Sequence, residues 1–236
     1  MRGLKAVLFL IPLVAAQAAP RAALADRQAE DAELNAAFAA EYDTQKMTAL
    51  EPSVIAASGD RAKREGATLT LNIAQGPAVR LTNDETGCEP SSIEHSKCYD
   101  FSLLADLPSR HAFLVVQRYD EGGKVVMIDD RTGTRTDFTE LPRFSADGTL
   151  LLVISNDEES DAGLIQLWSR EGDTAKKLWD VPDTVEAEQA EFVAWNDDGI
   201  QLDLSFPQGD DKPERHRPAT LARGKSGWEL TFKDGK

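Results

Sequence analysis

The pattern of apolar and polar positions changes character near residue 66. Before that point, residues 26–46 (DRQAEDAELNAAFAAEYDTQK) are rich in Ala, Glu and Gln, and Leu34, Phe38 and Tyr42 are four residues apart. This spacing predicts a helix with one narrow apolar stripe. Asp26 is a suitable N-cap for it.

Beyond residue 66 the pattern is typical of short strands. The segment ATLTLNI (67–73) alternates apolar and polar residues, and PAVRLTND (77–84) follows it across Gly76-Pro77. Together these segments predict a β-hairpin.

A repeat appears in the second half of the chain. The segment from Phe144 to Gly148 (FSADG) has a counterpart from Trp195 to Gly199 (WNDDG), and an apolar strand follows each of them. A degenerate copy, FSLLADLPSRHAFLVVQ, begins at Phe101, and the aromatic residues Phe101, Phe144 and Phe192 are 43 and 48 residues apart. Periods of about 40–50 residues with four strands each indicate propeller blades. The pattern predicts three quartets of strands, at 99–104, 112–118, 124–129 and 135–138; at 143–145, 150–155, 164–169 and 175–180; and at 191–195, 200–206, 219–222 and 228–232.

The segments FSADGTLLLVISND and GLIQLWSREG resemble the FSPDG-type strand repeats of WD40-like and TolB-like propellers, and the resemblance covers about residues 99–232. It implies a fold element and no particular activity. We therefore expect an all-β fold: a small propeller-like stack of about four four-stranded antiparallel sheets, with an N-terminal helix. Either the 67–82 hairpin completes a fourth blade, or the sheets form an open, sandwich-like stack.

The first 25 residues have the features of a secretory signal peptide. Arg2 and Lys5 precede an apolar run at 6–16 that is too short to span a bilayer, and small residues allow cleavage after Ala18 or Ala25. The predicted organisation is a signal peptide (1–25), a helical segment (26–50) and a β domain (51–236). The mature protein is expected in the periplasm or outside the cell, without membrane insertion.

The chain of 236 residues has a formal net charge of −15, and loss of the predicted signal peptide removes three basic residues and no acids, giving −18. An acidic surface repels nucleic acid and anionic lipids and attracts basic proteins or divalent metals. The simpler interpretation is that the acidity keeps an exported protein soluble.

Cys88 and Cys98 are the two cysteines, and a disulfide between them is the expected pairing in an oxidising compartment. Closing so short a loop is worth roughly 3 kcal/mol in the chain-entropy model. With His95 the cysteines could instead form a metal site, although the C-x6-H-x2-C spacing matches no standard zinc pattern. Free or redox-active thiols are the third alternative.

Candidate chemistry is sparse. The sequence has three histidines and lacks the G-x-S-x-G, H-E-x-x-H, phosphate-loop and dinucleotide-binding patterns. Ser91, Ser92 and His95 could in principle act as nucleophile and base, but polar residues in a disulfide loop are the simpler reading. We predict no catalytic residue, metal site or cofactor.

Acidic loops offer a binding surface instead. The predicted patch for a basic protein partner consists of Asp157, Glu158, Glu159, Asp161, Asp197 and Asp198. A second acidic run, between two quartets, is interpreted as a solvated loop face, with a docking patch for a basic protein as the alternative: Asp180, Asp183, Glu186, Glu188 and Glu191. These loops and the Asp129-Asp130 pair could also supply oxygen ligands to calcium, but none has the EF-hand spacing.

A repeat fold without a catalytic constellation favours a non-enzymatic binding or scaffold module. An alternative is an inhibitor of a cationic cell-wall-degrading enzyme, because AEDAELNAAF is similar to the A-D-x-x-L-N-x-x-Y segment of lysozyme-inhibitor-like proteins. A hydrolase is the third alternative.

Overall fold

The computed structural model describes residues 30–38, 44–84, 98–119, 122–156, 165–182, 184–208 and 215–233. The predicted signal peptide therefore lies outside the described residues. The fold is all-β and is preceded by two helices, α1 (residues 30–38) and α2 (Thr44–Ser58). Single 3-10 turns occupy Gly59–Arg61 and Pro108–Arg110.

Fifteen strands follow within these ranges. They are β1 (Ala62–Glu65), β2 (Thr68–Leu71), β3 (Val79–Thr82), β4 (Tyr99–Leu107), β5 (Ala112–Tyr119), β6 (Gly122–Asp129), β7 (Arg135–Phe138), β8 (Arg143–Phe144), β9 (Leu150–Ile154), β10 (Ile165–Glu171), β11 (Thr174–Asp180), β12 (Gln189–Asn196), β13 (Gly199–Phe206), β14 (Arg215–Arg223) and β15 (Trp228–Phe232). The hairpin and all three quartets of the sequence prediction are confirmed to within a few residues.

The strands form four antiparallel meanders in chain order: sheet 1 (β1–β3), sheet 2 (β4–β7), sheet 3 (β8–β11) and sheet 4 (β12–β15). Sheet 1 has three strands in the described chain, one fewer than the quartets. Its first strand, β1, was not predicted, because AKRE has no apolar alternation.

Three apolar cores join successive sheets. Leu69 and Phe113 belong to the core between sheets 1 and 2, and Leu114 and Leu151 to the core between sheets 2 and 3. The third core, between sheets 3 and 4, contains Leu152, Leu167, Leu202, Leu204 and Leu221. Because β9 contributes to two cores, it needs apolar residues on both faces, which explains its unbroken LLLVI sequence.

The two ends of the stack are polar. On sheet 1, the face away from the core carries Thr68 and Thr82, whose hydroxyl oxygens are 3.0 Å apart. On sheet 4 the corresponding face carries Gln201, Asp203 and Thr220, in alternation with the buried leucines. Terminal units of stacked repeats require polar outer faces. These faces favour the open stack over the closed ring.

The helices cover β4, the edge strand of sheet 2. The backbone N–H of Leu103 donates to the Glu51 carboxylate at 2.9 Å, and that of Asp106 donates to Glu33 at 3.1 Å. Leu34 of α1 is buried in the core beside them. An uncovered edge strand invites pairing with another chain, so the helices protect β4. The sequence predicted one helix over 26–46, whereas α2 continues to Ser58 and includes Pro52.

Both turns of the repeat place their glycine at a positive φ, although only Gly148 lies in the left-handed helical region. Gly148 has φ +73° and Gly199 has φ +130°. At the first turn, the Asp147 carboxylate accepts hydrogen bonds from the Ser145 hydroxyl at 2.6 Å and from the Thr149 N–H at 3.1 Å. These donors hold the pKa of Asp147 below its usual value.

Candidate functional site

The structure describes only part of the predicted site residues. Those outside the described ranges are Cys88, Asp157, Glu158, Glu159 and Asp161. Cys98 directly precedes β4, and its disulfide with Cys88 stays a prediction. Asp197 and Asp198 are exposed in the turn between β12 and β13.

The edge strand β12 presents an unusual apolar residue at its centre. Phe192 is paired with Leu202 and Ala194 with Gln201, so that Val193 is the extra residue of a β-bulge. The Val193 residue is 61% exposed, more than any other large apolar residue of the described chain. A bulge re-aims its side chain, and here it directs an apolar group to solvent.

A cavity of about 310 Å³ lies beside this strand. Its lining residues come from α1, sheet 3 and β12: Phe38, Leu141, Arg143, Ile154, Asn156, Ala190, Glu191 and Phe192. The guanidinium carbon of Arg143 is 4.0 Å from the ring centroid of Phe38 and 5.3 Å from that of Phe192. Arg143 thus makes a cation–π contact with each of the two rings.

Asn156 attaches the end of sheet 3 to β12. Its side-chain oxygen accepts the Ala190 N–H at 2.9 Å, and its side-chain nitrogen donates to the Ala190 carbonyl at 3.3 Å. Both peptide groups of Ala190 therefore point away from β13 and are already occupied. This wall of the cavity is fixed by hydrogen bonds to the backbone.

Carboxylates flank Val193 on both sides in the sequence. Residues 184–208 include six acidic residues and no Lys or Arg. Five of the six are exposed: Glu186, Glu188, Glu191, Asp197 and Asp198. We name β12 together with these five residues the acidic edge. Its combination of exposed apolar group, adjacent cavity and negative charge is suited to a basic, partly apolar ligand.

A second polar region joins sheets 2 and 3. Asp129, whose side chain is 1% exposed, accepts hydrogen bonds from Arg170 at 3.0 Å and from Arg131 at 2.8 Å. Burial raises the pKa of Asp129, but hydrogen bonds from Arg131 and Thr132 outweigh burial and bring the pKa below its usual value. Burial lowers the pKa of Arg170, and Asp129 opposes that effect.

Asp130, the neighbour of Asp129, is bound in the same way. Its carboxylate accepts a hydrogen bond from Arg61 at 2.9 Å, and Arg61 also binds Asp106 at 2.8 Å. The aspartate pair considered above as a calcium ligand is therefore neutralised by guanidinium groups. Its place between the sheets indicates a structural role.

A larger cavity of about 470 Å³ lies between α1 and sheet 2, and Glu30, Glu33 and Asp106 contribute to its lining. Glu30 is paired with Arg110 at 3.0 Å, and Asp106 is paired with Arg61. Burial raises the pKa of Glu33, and the charges of Asp106 and Glu30 raise it further, whereas the hydrogen bond from the Asp106 backbone lowers it. All three carboxylates make contacts that hold α1 or the neighbouring chain in place. We therefore interpret this cavity as part of the contact between the helices and sheet 2.

One grouping of Ser, His and Asp occurs in the part of the chain that the structure describes. The Nδ1 atom of His216 is 3.2 Å from the Ser205 hydroxyl and 3.4 Å from the Asp203 carboxylate. A catalytic triad uses both ring nitrogens, one for each partner. Here both contacts fall on the same nitrogen, and Ser205 is buried, so the grouping lacks the geometry of a triad.

Comparison with known proteins gives no identification: no protein-family model, curated protein or solved structure matches the chain. Among the described residues, no helix is long and apolar enough to cross a membrane. No group of three or more His, Cys, Asp or Glu side chains suited to a metal ion occurs in those residues.

Sequence reasoning found the carboxylates of the acidic edge but missed its apolar part. The signal was present in QAEFVAWN, where Phe192 and Val193 are adjacent and interrupt the alternation of β12. Two successive apolar residues in an edge strand are what a bulge produces. The cavity could not be foreseen, because Phe38 and Phe192 are far apart in the sequence.

Proposed function

We propose that this protein is an exported, non-enzymatic binding module that recruits a basic protein partner through the acidic edge. The observation that carries the proposal is the exposure of Val193 next to a cavity, inside a segment with six carboxylates and no basic residue. Protein-binding surfaces combine an apolar centre with a polar, charged rim, and here Phe192 at the cavity and the exposed Val193 supply the apolar part. An excess of exposed negative charge favours encounter with a cationic partner.

The proposed location and fold relationship rest on the sequence. Export is supported by the signal-peptide features of residues 1–25. A distant relationship to WD40-like and TolB-like propellers is supported by the FSADG and WNDDG repeat and by the four meandering sheets. Such folds commonly recruit partners without catalysis.

The test is direct binding to purified partners. The mature protein is used to capture proteins from an extract of its compartment, and each captured protein is then purified and titrated at low and high salt. We expect a basic partner whose affinity falls with salt, because exposed charges are screened. The charge-reversed double variant Asp197→Lys/Asp198→Lys should bind it at least about tenfold more weakly.

The matched control is the double variant Asp60→Lys/Glu171→Lys, which makes the same change in net charge at exposed positions outside the acidic edge. Equal loss of binding in both variants would leave only a nonspecific charge effect and would refute the proposed site. Inhibition of a cationic muramidase would favour the inhibitor alternative. Turnover of ester or phosphate substrates, without a partner, would favour the hydrolase alternative.

A further inference from the structure

We propose that the acidic edge binds a basic amphipathic helix, with an apolar side chain of that helix placed against Val193 and in the neighbouring cavity. This inference rests on the proposed function and specifies the chemistry and secondary structure of the partner segment. It is drawn from a comparison of two edge strands of the same molecule.

The first strands of sheets 2 and 4 have the same irregularity at the same position. In β4 the bulge residue is Leu104, three residues before the last paired residue, Leu107. In β12 it is Val193, three residues before the last paired residue, Asn196. Each strand therefore contains one extra apolar residue at the equivalent place.

The two bulges differ in what covers them. Leu104 is 1% exposed, because it lies in the core that α1 and α2 complete with Leu34 and Met47. The N–H of Leu103, the residue before this bulge, donates to Glu51 of α2. Val193 is 61% exposed. The covered bulge, in β4, thus shows that helices of this protein can supply both the apolar contacts and the hydrogen-bond acceptor that such a strand needs.

Addition of a β-strand to β12 is disfavoured. An added strand pairs with consecutive outward peptide groups, two residues apart. Both outward groups of Ala190 are occupied by Asn156, and the bulge at Val193 interrupts the register beyond it. A helix needs no continuous row of backbone partners, so it fits this edge better.

Charge complementarity decides the composition of the helix. The exposed carboxylates of the acidic edge lie on both sides of Val193 in the sequence, at Glu188 and Glu191 before it and at Asp197 and Asp198 after it. A helix with Lys or Arg flanking one apolar stripe would place opposite charges at both ends of the contact.

The experiment uses a phage-displayed library of random 16-residue peptides selected on the full mature protein. Enriched peptides are synthesised and titrated against the wild type, against Val193→Ser and against the control Leu178→Ser. Leu178 is the matched residue, because it is also the exposed bulge residue of an edge strand, β11, but follows Lys176 and Lys177. Circular dichroism measures helix formation on binding.

We expect enriched peptides to be basic, to carry apolar residues three or four positions apart, and to gain helicity when bound. Val193→Ser should weaken binding at least about tenfold, while Leu178→Ser leaves it unchanged. A proline in the middle of the best peptide should abolish binding. Basic peptides that bind in extended form, or tolerate the proline, would overturn the helix and leave the proposed function standing. Acidic peptides, or binding that does not depend on Val193, would overturn both.

Discussion

The two glycines of the repeated turn provide a sharp test of the structure, because the sequence makes them look equivalent and the structure does not. A methyl group added at Gly148 would have its nearest neighbour, Arg110 Cγ, at 3.9 Å. A methyl group added at Gly199 would lie 2.5 Å from the Leu221 carbonyl oxygen and 3.0 Å from the Ala222 Cβ. The neighbour at Gly199 is backbone of the adjacent strand β14, which cannot move without disturbing sheet 4.

The expected cost of each substitution follows from these geometries. Gly148→Ala places alanine in the left-handed region, which costs about 1–2 kcal/mol. Alanine also lowers the conformational entropy of the unfolded chain, which offsets about 0.4–1 kcal/mol of that cost. The net loss is about 1 kcal/mol. Gly199→Ala adopts a conformation that is essentially restricted to glycine, costing about 1–3 kcal/mol, and adds the overlap with Leu221. We expect a total loss of at least about 3 kcal/mol.

Urea unfolding of the wild type and both variants measures the two losses, and thermal unfolding checks them. For a chain of this length the losses correspond to falls in Tm of roughly 2–4 °C for Gly148→Ala and roughly 6–12 °C for Gly199→Ala. Equal losses in the two variants, or a larger loss at Gly148, would refute the close approach of β14 to Gly199. The control for altered compactness is an unchanged urea m value.

Two further predictions concern the buried charges. Arg170→Met should lower the free energy of unfolding by about 3 kcal/mol, because it removes a buried partner of the buried Asp129 carboxylate. Arg131→Met removes a partner of the same carboxylate that is 33% exposed, so it should lower the free energy of unfolding by about 1 kcal/mol or less. Equal losses for the two variants in urea unfolding would contradict this account. Because the pKa of Glu33 is raised in the folded protein, the protonation of its carboxyl group contributes to folding stability. That contribution is complete below the unfolded-state pKa and is lost as the pH rises through the folded-state pKa. Glu33→Gln is neutral at every pH and keeps an acceptor for the Asp106 N–H. It should therefore slow hydrogen exchange in α1 at pH 7, and the difference from wild type should shrink toward pH 4. Faster exchange of the variant at pH 7 would show that the ionised carboxylate is needed.

The strands could be predicted because each core imposes its own period on the sequence. In β13, alternation of leucines with Gln201 and Asp203 follows from one buried face, and in β9 the continuous apolar run follows from two. The turn glycines were equally visible. Their different surroundings were not, because Leu221 meets Gly199 only through the pairing of β13 with β14.

The helix α2 and the ionic contacts could not be predicted in this way. The sequence TQKMTALEPSVIAAS contains a proline and no clear apolar stripe, and it is helical because it packs across β4. Arg61 and Asp106 are 45 residues apart, and Glu30 and Ser109 are 79 apart. No local pattern relates such residues, since only the stacking of the sheets and the docking of α1 bring them together.

The most direct test of the proposed binding surface is an amide chemical-shift map of the isotope-labelled protein, expressed as residues 26–236, during titration with the best basic peptide from the library. We predict that the largest shifts occur at residues 191–198 and at Asn156, beside the cavity. Shifts concentrated instead on the outer face of sheet 1, or around Glu33 and Ser109, would contradict the assignment of the acidic edge as the partner-binding surface.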